Sequence, residues 1–204
     1  MSILRFFIAS AVLIMPALKI IYNFIRRIFL LQKTFFDTKT IVRAAFFITL
    51  NIVLSRMLSI MITPQLKIGF STLPLILAGL SCGPVIGAIV GVISDIIGIM
   101  INAQGQPHLG FTFSAMLSGL IPGLVAMYYI KDNHKRKLVG IIISVVIVFA
   151  LIHVVLNTIW LSQILGKAVT VMLPLRAFKA CVEGVLTIIL CYSLYDFVMI
   201  KKSI

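Results

Sequence analysis

Arg176 and Lys179 stand three residues apart in an apolar stretch, and Glu183 follows four residues after Lys179. At helical spacing all three share one face. Two cations in an apolar setting can hold a carboxylate, the guanidinium through a two-pronged hydrogen bond. Glu183 can instead pair with Lys179 at the i,i+4 spacing. A second polar stripe runs through His153, Asn157 and Trp160, at i, i+4 and i+7. Asn157 offers both donors and acceptors, and Trp160 a flat ring with one N–H donor, which together suit a planar heteroaromatic ligand. The competing reading gives Asn157 a hydrogen bond between helices and Trp160 an anchoring role at the membrane edge. His153, deeper in its stretch, is read in that structural sense. Asp95 continues a series of small residues, Gly83, Gly87 and Gly91, along one helix face. A carboxylate there needs an arginine or two N–H donors of a ligand.

These residues lie in a chain of 204 residues that is 61% hydrophobic and 11% charged, with 18 Lys and Arg against 5 Asp and Glu and a net charge of +13. Water-soluble domains carry about 25% charged residues. Disorder requires low hydrophobicity, and a nucleic-acid-binding domain needs a solvated basic face that this composition cannot supply. An integral membrane protein remains. Apolar runs predict six spans: 41–62, 68–82 (short and broken by Pro74), 84–101 after the Gly83-Pro84 turn, 111–130, 138–165 and 171–200. Long runs without alternation predict helices rather than barrel strands, so the expected class is an all-α six-helix membrane bundle. Residues 1–40 are set apart from the 41–204 domain. Their apolar stretch 6–25 is interrupted by Pro16 and Lys19 and flanked by cations on both sides, which favours an interfacial helix over a seventh span. Cys82, Cys181 and Cys191 lie in apolar stretches without paired spacing and are read as packing residues.

The charge separates by side. Arg5, Lys19, Arg26, Arg27, Lys33, Lys39 and Arg43 precede or begin the first span, Lys131, Lys135, Arg136 and Lys137 fill the loop between spans four and five, and Lys201 and Lys202 end the chain. The loop 102–110 has no charge. The positive-inside rule then predicts both termini in the cytoplasm. Five cations remain on the outer side: Arg56, Lys67, Lys167, Arg176 and Lys179. Lys67 and Lys167 fall in loops and read as solvated or snorkelling, and Arg56 can snorkel too. Ionisable residues inside a bundle otherwise point to function, and an outward cluster of cations suits an anionic ligand.

No G-x-x-x-x-G-K-[ST] loop, HExxH motif, Cys/His cluster or paired-carboxylate motif occurs, so the sequence predicts no ATPase, no metal, no cofactor and no enzyme. Internal repeats and paired broken helices, marks of many secondary transporters, are also missing.

Several blocks, in order, resemble the substrate-binding S components of energy-coupling factor (ECF) transporters, and within them the folate family. They are Asn51-Ile-Val-Leu-Ser-Arg56, Gly69-Phe-Ser-Thr-Leu-Pro74, Gly83-Pro-Val-Ile-Gly87, Ser94-Asp95-Ile-Ile-Gly98, Gly110-Phe-Thr-Phe-Ser-Ala-Met-Leu-Ser-Gly119, Leu156-Asn-Thr-Ile-Trp160 and Leu173-Pro-Leu-Arg176-Ala-Phe-Lys179. The resemblance covers about residues 43–179. It implies six helices with cytoplasmic termini in a bacterial cell membrane. It also implies a vitamin-binding subunit joined to a transmembrane coupling protein and two ATPases, whose hydrolysis of ATP reorients the subunit and its ligand. The implied ligand is a folate, with Arg56, Arg176 and Lys179 on carboxylates, Asp95 or Asn157 on the pterin edge, Trp160 stacked on a ring, and the 102–110 loop with His108 as a gate. A different vitamin, or a stand-alone secondary carrier, are the competing readings. The family's Ala-xxx-Ala contact for the coupling protein corresponds to Ala45 and Thr49, still a pair of small residues. Beyond Lys179 the family pattern is lost, which leaves Glu183 without an implied role.

Overall fold

A computed structural model describes residues 37–63, 66–103, 107–130, 136–166 and 168–200. The apolar segment 6–25, Lys67's side chain, Lys167, the cations at 131 and 135, and those at 201 and 202 lie outside what is described. The chain divides into two units, Met1–Ile41 and Val42–Ile204, and apart from the first turn of the first helix the second carries the elements below.

Helix α1 (Thr38–Ile52) passes into a π-helical turn at Val53–Met57, closed by a bond from Leu58 N to Val53 O. The first span was expected to continue to residue 62, but the helix stops at this turn. Strands β1 (Ile60–Thr63) and β2 (Leu66–Ile68) follow, pairing antiparallel with Ile60 opposite Ile68 and an irregularity between Met61 and Thr63. The sequence explains the change: Ile60, Ile62 and Thr63 are β-branched, and Pro64 pushes the residue before it towards extended backbone. The described fold is therefore helical with one short hairpin.

Helix α2 (Thr72–Cys82) is buried from Thr72 to Ser81. A helix apolar all round belongs in the centre of a bundle. Pro74 sits in its first turn, where no backbone donor is lost, so it does not break the span as expected. Gly83 ends α2 at φ +93°, a conformation suited to glycine, and Pro84 opens α3 (Pro84–Ile101). Helix α4 (Leu109–Val125) runs into a π-helical segment at Ala126–Ile130, four residues after the buried Pro122.

Helices α2, α3 and α4 pack through glycine. A Cβ added at Gly87 would strike the backbone of Gly119 and Gly79, and one at Gly91 would strike the backbone of Ala115. The small-residue face of α3 is thus real from Gly87 onward. An added Cβ at Gly83 would meet open space, yet Gly83 C stands 2.7 Å from where a Cβ at Gly123 would lie, so the close approach of α4 reaches the start of α3.

The fifth rod comprises α5 (Lys137–Ile147), a π-helical stretch at Val148–Leu156, and α6 (Asn157–Leu165), ending at Gly166 in the left-handed conformation. Helix α7 (Val169–Ile200) contains Pro174 near its start. Cys191 is fully buried and Cys82 half-buried, but Cys181 is exposed on α7, so the packing role expected of all three fails there. Among the described residues, five helices are long and apolar enough to cross a membrane: Thr38–Met57, Pro84–Ile101, Leu109–Ile130, Lys137–Leu165 and Val169–Tyr195. Helix α2 is apolar but shorter, about 16 Å at the α-helical rise.

Candidate ligand-binding site

The π-helical turn that ends α1 carries Arg56 towards α3 and the loop that follows it. Arg56 Nη2 lies 3.5 Å from Asp95 Oδ1, and Arg56 Nη1 donates to Asn102 O at 2.9 Å. Gly98, one turn after Asp95, leaves room for the guanidinium: a Cβ there would come within 2.8 Å of Arg56 Nε. Asp95 Oδ2 accepts from Thr112 Oγ1 of α4 at 2.8 Å. The partner that Asp95 requires is therefore supplied from within the chain. Thr112 was not singled out by sequence, although it lies inside the quoted Gly110 block.

A second group forms at the start of α4. His108 caps the helix, its Nδ1 accepting from Gly110 N at 3.0 Å. Its ring lies 5.6 Å from that of Trp160 and 6.1 Å from that of Phe111. Trp160 packs over Gly110, where a Cβ would come within 2.5 Å of the indole. This close approach is the local reason for glycine at that position. Among the described residues Trp160 Nε1 and Asn157 Oδ1 have no hydrogen-bond partner, nor do the buried hydroxyls of Ser114 and Thr158. Buried polar atoms normally find partners, and a ligand or ordered water is one way to supply them.

The third group centres on α7. Lys179 Nζ lies 3.2 Å from Glu183 Oε2, and the other oxygen, Oε1, accepts from Gly69 N at 3.1 Å. Arg176 Nη2 donates to His153 O at 3.3 Å. The His153 ring stacks on Phe149, with its Nε2 2.9 Å from Thr72 Oγ1 of α2. The stripe His153, Asn157 and Trp160 is thus divided. His153 lies in the π-helical stretch and turns to α2, whereas Trp160 on α6 turns to α4. A widened helix changes the angle between successive residues, which regular α-helical spacing does not anticipate.

The three groups are connected through shared elements. Helix α4 and its cap supply His108 and Gly110 to the second group and Thr112 to the first. The fifth rod supplies Trp160 to the second and the His153 carbonyl to the third. Together they combine cations, a flat indole and unsatisfied polar atoms, a set able to take a ligand with a carboxylate and a planar ring. Ala45 and Thr49 are exposed on α1, with Thr49 Oγ1 bonded back to Ala45 O at 3.0 Å.

Residues 39–195 match the family model "ECF transporter, substrate-specific component". A folate transporter, FolT, of Clostridium novyi (strain NT) is 38% identical over 154 residues, which is 76% of this chain and 86% of the relative. The FolT folate transporter of Leuconostoc mesenteroides is 33% identical over 65% of this chain and 68% of its own length. Among solved structures, that of FolT bound with folic acid superposes with a TM-score of 0.67 at 27% identity, covering 79% of this chain and 95% of the other. The S component of a bacterial ECF transporter shares the fold, at a TM-score of 0.56 and 24% identity, covering 78% of this chain and 97% of that one. The chain belongs to the family of ECF transporter substrate-specific components.

Proposed function

We propose that this chain is the folate-binding component of an ECF transporter in a bacterial plasma membrane. It takes folate from outside and releases it inside when partner ATPases drive its reorientation. The observation that carries the reading is the pairing of α7 cations with unpartnered polar atoms on the adjoining rod. Arg176 and Lys179 suit the carboxylates of a folate glutamate, Asn157 Oδ1 suits a pterin edge, and the Trp160 indole suits a stacked ring. The folate transporters at 38% and 33% identity support it. Arg56 and Asp95 then form a neutral pair at the margin, with Arg56 still able to reach a second carboxylate, and His108 and Trp160 close the ring side.

The chain crosses the bilayer six times, with α2 as the short central crossing and both termini in the cytoplasm, as the distribution of Lys and Arg favours. Residues 1–40 are a basic and hydrophobic N-terminal extension to the 41–204 domain. Ala45 and Thr49, small and exposed on α1, offer the surface for a transmembrane coupling protein, which joins the chain to two ATPases.

The protein purified in detergent is expected to carry a co-purifying pterin, seen by ultraviolet absorption and mass spectrometry, and to bind added folate tightly. A preparation with no pterin and no folate affinity overturns the reading. Folate uptake that persists in cells lacking the coupling protein and ATPases replaces it with a stand-alone carrier.

A further inference from the structure

Glu183 is 7% exposed, yet both of its oxygens are engaged, one by Lys179 Nζ at 3.2 Å and the other by the Gly69 N–H at 3.1 Å. Gly69 directly follows β2, so one carboxylate joins a candidate ligand cation to the foot of the hairpin. A simple helix-surface ion pair would leave the second oxygen to solvent. This one spends it on the backbone of another element.

We infer that Glu183 is a built-in substitute for the ligand's carboxylate: it holds Lys179 while the site is empty and yields it when an anionic ligand arrives. The inference rests on the folate reading for the identity of that ligand. The charges support it. Arg176 and Lys179 bring two positive charges and Glu183 one negative, so a ligand carboxylate and Glu183 compete for the same ammonium. Without Glu183 the empty site would bury a cation lacking its partner, which is costly in a membrane. With it, every carboxylate that binds must first share or displace a resident one, which lowers affinity and disfavours weak anions. Handover also frees Oε2 while leaving Oε1 on Gly69. A carboxylate no longer divided between two donors accepts more strongly from the one that remains, so occupancy of the site tightens the attachment of the hairpin to α7.

The test compares wild type with Glu183→Gln, whose amide oxygen can still accept from Gly69 N–H but carries no charge. Binding is measured in detergent for folate and for the folate analogue with both glutamate carboxylates amidated. Folate affinity is expected to rise about threefold or more in Glu183→Gln, with no change for the diamide. Equal effects on both ligands, or weaker folate binding, overturn the inference and make Glu183 a brace for Lys179. Wild type that binds folate while the variant behaves identically overturns it too and leaves the folate reading standing. Wild type with no folate affinity overturns both. Hydrogen exchange at the Gly69 amide supplies a measurement that does not require the variant to fold. Folate is expected to slow that exchange in wild type, by more than the diamide does. The same exchange rate with either ligand overturns the handover.

Discussion

Arg56 Nη2 lies 3.5 Å from Asp95 Oδ1, with the two side chains 10% and 17% exposed, so the first span's cation and the third span's anion largely neutralise each other. The pair is extended on both sides, by Asn102 O on the arginine and by Thr112 on the aspartate. Removing one partner leaves the other charged in a poor dielectric, while removing both costs less. Arg56→Ala and Asp95→Ala are each expected to lower the thermal midpoint. The double variant should fall by less than the sum, corresponding to a coupling of about 1 kcal/mol. Additive losses in detergent-solubilised protein would show that the two residues act separately.

Trp160 is the one tryptophan of the chain, and it lies over Gly110 beside the His108 ring. Its emission therefore reports on this corner of the site alone. Folate is expected to quench it on binding, since a stacked pterin accepts the excitation energy. Gly110→Ala inserts a methyl group where the indole now sits, forcing the ring to move. That variant should weaken folate binding about tenfold and alter the emission of the ligand-free protein. Titrations monitored at the tryptophan check both effects together. Unaltered affinity would remove the Gly110–Trp160 contact from ligand binding.

The contact of Gly87 on α3 with Gly119 on α4 is backbone against backbone, so no side chain can yield to an added methyl group. Gly87→Ala and Gly119→Ala are expected to force the helices apart, at a cost of about 1–3 kcal/mol each. Gly184→Ala is the control, since its added Cβ meets only Phe149 and Val145 side chains at ordinary contact distances of 3.7 Å and beyond. Thermal melts of the three variants should separate the first two from the third. Equal behaviour would contradict the close packing.

How much of this was legible in the sequence depends on the physical signal each feature leaves. Long apolar runs mark helices directly, so the boundaries of α3 and of the rod Lys137–Leu165 lie close to the expected ones. The glycine spacing that packs α3 is equally visible. The hairpin was missed because Ile60, Met61 and Ile62 read as a continuation of an apolar run, and hydropathy does not distinguish strand from helix over so few residues. The candidate site was legible as a list of residues but not as contacts. Neither π-helical widening at Arg56 nor that at His153 has a sequence signature, and each redirects a side chain. Glu183 illustrates the other limit. Its i,i+4 partner was readable from spacing, whereas its bond to Gly69 joins residues far apart in the chain and through a backbone N–H that any residue type but proline supplies.

Lys137 shows that a cation assigned to topology can also contribute to packing. It is 5% exposed, with its Nζ 4.7 Å from the Tyr192 ring centroid and 5.0 Å from that of Tyr195. These tyrosines lie on α7, so the ammonium ties the start of α5 to the far part of α7. Attraction to an aromatic face is worth about 2 kcal/mol or more for a desolvated cation. Lys137→Met keeps the length and apolar stem while removing the charge. It is expected to lower the thermal midpoint, and Tyr192→Leu should do the same. The rings lose their special value once the charge is gone, so Tyr192→Leu should cost much less in a Lys137→Met background. Orientation should be unaffected throughout, because Lys131, Lys135 and Arg136 remain in the same loop segment of the sequence. Fusions reporting on the side of the C-terminus check orientation, and melts of the single and double variants check the coupling. A Lys137→Met protein that inverts in the membrane while keeping its midpoint would return this residue to a purely topological role.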